Sequence, residues 1–310
     1  MPAMSTPAYP PLPPHEMPPA RTINIARRGE FYLRDSGRGD PGLPAVMLLH
    51  GWTVSADLNW HGAYGPLIEA GYRVLAIDHR GHGRGLRALE LFRLTDCAAD
   101  AAAVVRQLDC APAIFVGYSM GGTIAQLIAR DHRDAVAGVV LSGTSQHFQD
   151  RETVKIWRLM GALKLGLSVS PRGLWRAGLR RAKIPNSPQT AWWLSELTRH
   201  APRDIAEAGR ELGRFDSRPW LTSVSVPAAS VITTRDRSVA PAKQRELAAA
   251  IGAEVFEAPI DPLEVTSRAP EYNPALLDAV AAVRTTGGVA ASSSRGATGP
   301  QSRPSGQPIG

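Results

Sequence analysis

Ser119 lies in the run Gly117-Tyr118-Ser119-Met120-Gly121, where an apolar segment suited to a buried strand (Ala113–Tyr118) passes directly into a helical pattern (Met120–His132). A serine on a sharp strand-to-helix turn is held clear of its backbone and can act as the nucleophile of acyl transfer. Such a turn brings strand and helix so close that the flanking residues must be small, and Gly117, Gly121 and Gly122 meet that need. A helix starting at Met120 aims the Met120 N–H at any oxyanion forming on the substrate. A Gly-rich turn with an incidental serine has the same composition. The strand before it and the helix after it favour the nucleophile.

Three further runs carry chemistry. Leu48-Leu49-His50-Gly51-Trp52 ends an apolar strand, and a turn there offers the Trp52 N–H as a second oxyanion donor, with His50 fixing the loop. Ala76 to Gly85 (AIDHRGHGRG) is a glycine-rich loop after another strand, which Asp78 and Arg80 could brace by pairing. Asp78, His79 and His82 also have the donor types of a metal site, but no further ligand cluster accompanies them, so no metal is expected. Ser230 to Pro241 (SVITTRDRSVAP) ends a strand and puts Asp236 just beyond it, where a carboxylate can orient a catalytic base.

These residues need a scaffold that brings several strand ends to one edge. Val46–His50, Tyr72–Asp78, Ala113–Tyr118, Ala135–Ser142, Ala228–Thr233 and Glu254–Ala258 read as buried strands. Ala63–Ala70, Thr95–Leu108, Met120–His132, Ala242–Ile251 and Pro274–Val283 read as helices between or after them. Repeated strand–helix alternation predicts an α/β fold, a mostly parallel sheet with helices on both faces. Thr22–Arg34 predicts an antiparallel edge hairpin. Between His147 and Phe215 the strand signal stops, and tryptophan- and arginine-rich helical patches replace it (IWRLMGALKLGL, RGLWRAGLRR, TAWWLSELTRH). An insert at this point would lie over the strand ends as a lid.

In the order and context of these motifs the chain resembles the α/β-hydrolase superfamily of esterase- and lipase-like serine hydrolases, over roughly Thr22 to Arg284. The resemblance implies an eight-stranded, mostly parallel sheet, with Ser119 as nucleophile, Asp236 as acid, and the Trp52 and Met120 amides as oxyanion hole. It implies a core at 21–146 and 216–286 and a helical cap at 147–215. An aspartate nucleophile, as in haloalkane dehalogenases and related epoxide hydrolases, is disfavoured because the elbow residue is Ser119. One element of the family pattern is missing. Its histidine belongs in the loop after the last strand, and that loop reads Glu257-Ala258-Pro259-Ile260-Asp261-Pro262-Leu263, with Pro262 at the expected place and no histidine beyond His200. Proline has no proton to exchange, and Asp236 by itself cannot replace an imidazole. His147, after the sixth strand, is the best-placed substitute base, and His79, His82 and His200 are weaker candidates.

Function is therefore expected to be hydrolysis of ester-type bonds through an acyl-enzyme on Ser119, without metal or organic cofactor. The alternative is an impaired or non-catalytic binding protein on the same fold. The aromatic insert (Trp157, Trp175, Trp192, Trp193) suggests a small hydrophobic ester-like substrate. The net charge of +7 is local: residues 151–183 hold nine basic residues and one acid, Glu152. No nucleic-acid motif accompanies them, and a solvated helix face is preferred over a lipid-binding one. Residues 1–20 are proline-rich and 287–310 Gly/Ser/Pro-rich, both expected to be disordered. Cys97 and Cys110 are expected to be free thiols. No signal peptide and no membrane-length apolar run is apparent, so a soluble cytoplasmic protein is expected.

Overall fold

The computed structural model describes residues 11–293. Eight strands form one sheet: β1 (Ala20–Ile25), β2 (Gly29–Asp35), β3 (Val46–Leu49), β4 (Val74–Ile77), β5 (Ala113–Tyr118), β6 (Val136–Ser142), β7 (Ala228–Thr233) and β8 (Glu254–Ala258). Their order is β1-β2-β4-β3-β5-β6-β7-β8. The strand pairs from β4 to β8 are parallel, while β2 runs antiparallel to β1 and β4. The predicted edge hairpin is thus present, with Ala20 paired to Arg34 and Ile25 to Gly29.

The core helices are α1 (Ala56–Trp60), α2 (Tyr64–Glu69), α3 (Leu94–Gln107) and α4 (Met120–Asp131). Five more, α5 (Arg151–Arg158), α6 (Met160–Val169), α7 (Pro171–Arg181), α8 (Pro188–Leu197) and α9 (Pro202–Arg214), form an insert between β6 and β7. Then follow α10 (Pro241–Ile251), α11 (Glu264–Ser267) and α12 (Ala269–Ser293). Strand side chains alternate between faces. Met47, Leu49 and Phe115 join α3, α4 and α10 in one core layer, while Val46, Leu48, Ile114 and Val116 join α2 and α12 in the other. Burial on both faces explains why these strands read as continuous apolar runs.

The insert leaves and re-enters the core at a closed neck, where His147 bridges Asp216 and the Ser217 N–H donates to Gln146 O at 2.8 Å. Its helices are also tied to the core farther out: Arg84 pairs with Glu196, and the Ser55 hydroxyl donates to the same carboxylate at 3.0 Å. Two expectations need adjustment. Helix α12 continues to Ser293, past the end of the core expected at 286, because glycine pairs such as Gly287-Gly288 weaken a helix without forbidding it. The rest of that tail and residues 1–10 lie outside the described residues. Asp78 and Arg80 do not pair. Asp78 accepts from the Ala56 and Arg84 amides, both at 2.7 Å, while Arg80 reaches across to Asp100 on α3 at 2.5 Å. Cys97 and Cys110 are free thiols.

Candidate active site

Ser119 joins β5 to α4 with φ 51 and ψ −112, a backbone conformation that side chains rarely adopt. Such strain costs about 1–3 kcal/mol and persists only where the surroundings fix it. Here the Ser119 N–H donates to Ser142 O on β6, and Ser119 O accepts from the Gly122 N–H, each at 2.9 Å. A Cβ on Gly117 would strike Gly121 O, one on Gly121 would strike Leu49 O, and one on Gly122 would strike the Thr144 side chain. The glycines therefore allow the helix to start against the sheet. Ser119 is half-buried. The Met120 amide is the first of α4 and has no acceptor within its helix, so it is free to serve an oxyanion.

The His50-Gly51-Trp52 turn runs directly past this elbow, since a Cβ added at Gly51 would lie 3.6 Å from Ser119 Cβ. Two hydrogen bonds pin it. The Gly51 N–H donates to Asn59 Oδ1 at 2.8 Å, and His50 Nε2 accepts from the His79 N–H at 2.9 Å. That second bond leaves the His50 proton on Nδ1, which faces Gly51 O at 2.8 Å. The Trp52 indole is anchored to the insert, donating to Ile205 O at 2.8 Å and meeting Trp157 edge-on.

Asp236 sits beyond β7, buried. Its Oδ1 accepts from the Ser238 and Val239 amides at 2.7 and 2.8 Å, and its Oδ2 from the Thr233 hydroxyl at 3.0 Å. Gln244 on α10 braces this corner, accepting the Thr233 N–H at 3.0 Å and donating to Val239 O at 2.8 Å. Burial pushes the Asp236 pKa up in spite of its three hydrogen bonds, and the charge of Asp261 pushes the same way. Neither Thr233 nor Gln244 was a sequence candidate. A Thr three residues before an Asp was a readable hint of a local turn, whereas nothing marked Gln244.

The loop after β8 holds no imidazole. Asp261 Oδ1 caps α11 by accepting from Leu263 and Glu264, at 2.8 and 3.0 Å. Pro262 is half-buried, and its carbonyl faces the Tyr118 hydroxyl at 3.5 Å. Burial, and then the nearby Asp236 charge, push the Tyr118 phenol well above its ordinary pKa, so it stays protonated. His147 lies at the neck of the insert, where its Nδ1 accepts from the Gln149 N–H at 3.4 Å. Burial and the charge of Lys243 lower its pKa; Arg218, Asp150 and Asp216 also act on it. Its polar partners are therefore at the neck and include neither Ser119 nor Asp236.

The remaining candidates belong to a buried imidazole group. His50 packs on His79 at 4.3 Å and on His82 at 5.2 Å, and His82 packs on His200 at 5.5 Å. His200 Nδ1 accepts from the Gly83 N–H at 2.9 Å, so its Nε2 donates to Thr53 O at 3.0 Å. Burial holds all four neutral, His79 with a pKa lowered to about 3 and His200 to about 4. They tie the turn at Trp52, the loop after β4 and the end of α8 together.

A cavity of about 200 Å³ opens beside these elements, between α7 and α8 of the insert and the loop that follows Trp52. Thr53, Leu58, Trp175, Leu179, Trp193 and Leu263 are among its mostly apolar lining. Leu263, next to Pro262, thus lines the cleft, whose lining includes neither Ser119 nor Asp236.

Residues 44–162 match the α/β-hydrolase fold family. A non-heme haloperoxidase of Rhodococcus erythropolis is 40% identical over 115 residues, 37% of this chain and 40% of that protein. A bifunctional esterase/perhydrolase of Acinetobacter calcoaceticus is 36% identical over 113 residues, 36% of this chain and 40% of that protein. The chain thus spans about 40% of the length of these curated relatives. A thermophilic esterase of Thermogutta terrifontis, 22% identical, superposes with a TM-score of 0.70 over 86% of this chain and 99% of its own. Residues 44–162 thus resemble the α/β-hydrolase family, and the chain as a whole has the α/β-hydrolase fold. Among the described residues no helix is long and apolar enough to cross a membrane.

Proposed function

We propose that this protein hydrolyses carboxylic ester-type bonds through an acyl-enzyme on Ser119. The observation that carries the reading is the Ser119 backbone, locked at φ 51 with the start of α4 behind it and the Gly51-Trp52 turn beside it. The activities for which relatives are named, an esterase/perhydrolase among them, agree with it. In this reading Ser119 Oγ attacks the ester carbonyl carbon, and the Met120 and Trp52 amides hold the oxyanion. The bond to the alcohol oxygen breaks, the alcohol leaves with a proton, and water then releases the acid from Ser119. The cleft under the insert, acting as a cap, receives the apolar part of the substrate.

Asp236 is held as a triad acid would be, but it has no imidazole to orient. The serine proton therefore passes to solvent, and turnover is expected to lie about 10²–10⁴-fold below that of a site with a positioned base. The same observation favours a second reading, a binding protein that keeps the elbow and the cleft. Hydrolysis of p-nitrophenyl acetate, together with covalent labelling by a fluorophosphonate, separates the two. Slow turnover and labelling that both vanish in Ser119→Ala support the hydrolase. Turnover equal in Ser119→Ala removes it, and retained binding of apolar ligands without turnover supports the second reading.

A further inference from the structure

Helices α5–α7 of the insert combine two features that a solvated helix surface does not need. The first is apolar exposure. Five of the eleven large exposed apolar side chains among the described residues fall within residues 156–174. Leu159, Leu165 and Val169 are 62%, 66% and 76% exposed. Leu165 and Val169 are four residues apart on α6 and so share one face. Soluble surfaces scatter such residues singly, whereas a cluster marks an interaction site. The second is unbalanced charge. Arg172, Arg176 and Arg180 follow one another at intervals of four on α7, all exposed, a helix that buries none of its residues. Like charges at this spacing repel and weaken the helix. The only acid within residues 151–183 is Glu152.

We propose that α5–α7 dock on an anionic lipid surface, with the exposed leucine and valine side chains entering the headgroup boundary and the arginine row facing lipid phosphates. Basic residues flanking an apolar stripe are the composition that lies in a membrane interface without crossing it. Nucleic acid would neutralise the arginines, but protein surfaces that bind it are polar, and it would leave Leu165 and Val169 in water. Helix α7 also supplies Trp175, Gly178 and Leu179 to the apolar cleft. A docked insert therefore sets the mouth of the cleft against the bilayer, where apolar ligands concentrate. Sequence could not show this, because the alternation of apolar and basic residues fits a buried stripe as well as an exposed one. The surface does not depend on the chemistry of Ser119.

Flotation of the full chain with vesicles tests the proposal. Binding to phosphatidylcholine vesicles containing phosphatidylglycerol, weaker in high salt, and little binding to pure phosphatidylcholine are expected. Leu165→Asp combined with Val169→Asp should lower partitioning about tenfold or more. Neutralising Arg172, Arg176 and Arg180 to Gln should lower it about fivefold per residue. Both variants should keep the parent's circular dichroism and its hydrolysis of a soluble short ester, which separates loss of docking from loss of the active site. Failure of the parent to float with anionic vesicles at low salt overturns the proposal. So does binding that ignores the Leu165 and Val169 changes, or a duplex oligonucleotide bound more tightly than the vesicles and unaffected by those changes.

Discussion

Around Ser119 each tight approach is met by a glycine, and the strained backbone is fixed from β6 and from its own helix. Around Asp236 the carboxylate is held just as firmly, by two amides and the Thr233 hydroxyl, yet the loop that faces this corner presents Pro262 and Leu263. The two regions differ in what maintains them. The serine corner is part of the fold's packing, so its geometry persists as long as β5, α4 and β3 pack together. In the proposed reading a base would be one side chain on a surface loop, and its absence there leaves the packing untouched. Such a site can lack a proton carrier and keep its shape.

The largest effect should come from restoring that carrier. A histidine at the β8 loop, as Pro262→His or as Leu263→His, is expected to raise ester hydrolysis about 10²–10⁴-fold. The second position matters because Leu263 already lines the cleft. In whichever variant gains activity, Asp236→Asn should remove most of the gain, by about 10²-fold or more, because the imidazole loses its orienting carboxylate. The same change in the parent should alter the rate little, which is the sharpest contrast between the two corners. Stopped-flow or steady-state rates on p-nitrophenyl esters measure all three.

On the serine side, Gly121→Ala should destabilise the protein by about 3 kcal/mol, since its Cβ would meet the Leu49 carbonyl, and urea denaturation would read it. Acid should expose the buried imidazoles. His79 and His200 have folded pKa values of about 3 and about 4, below the ordinary 6.5, so the unfolded chain binds more protons than the folded one. Their stabilising contribution is full above pH 6.5 and is lost as pH falls, at about 1.4 kcal/mol per pH unit for each. Asp78, raised to about 6 by burial, acts with the opposite sign, favouring the fold as pH falls through that value. Four lowered histidines outweigh it, so the urea midpoint should drop between pH 7 and pH 5. A flat profile would mean these imidazoles are not buried neutral.

The strands and the elbow were legible because their signals are local: continuous apolar runs, and glycines at fixed offsets from Ser119. The short helix α1, the Thr233–Gln244 brace and the Asp100 partner of Arg80 were not, because each depends on residues brought together only by the tertiary fold. The absence of a base after β8 could be read directly, since it is a matter of residue type. What surrounds His147 could not, because the Asp216 bridge and Lys243 arrive from distant segments.

The most direct test of the account is the rate of p-nitrophenyl acetate hydrolysis in folded Pro262→His and Leu263→His proteins, each with and without Ser119→Ala. A gain of at least about 100-fold in one of them, abolished by Ser119→Ala, is the predicted result. No gain in either folded variant, or a gain that survives Ser119→Ala, would contradict it.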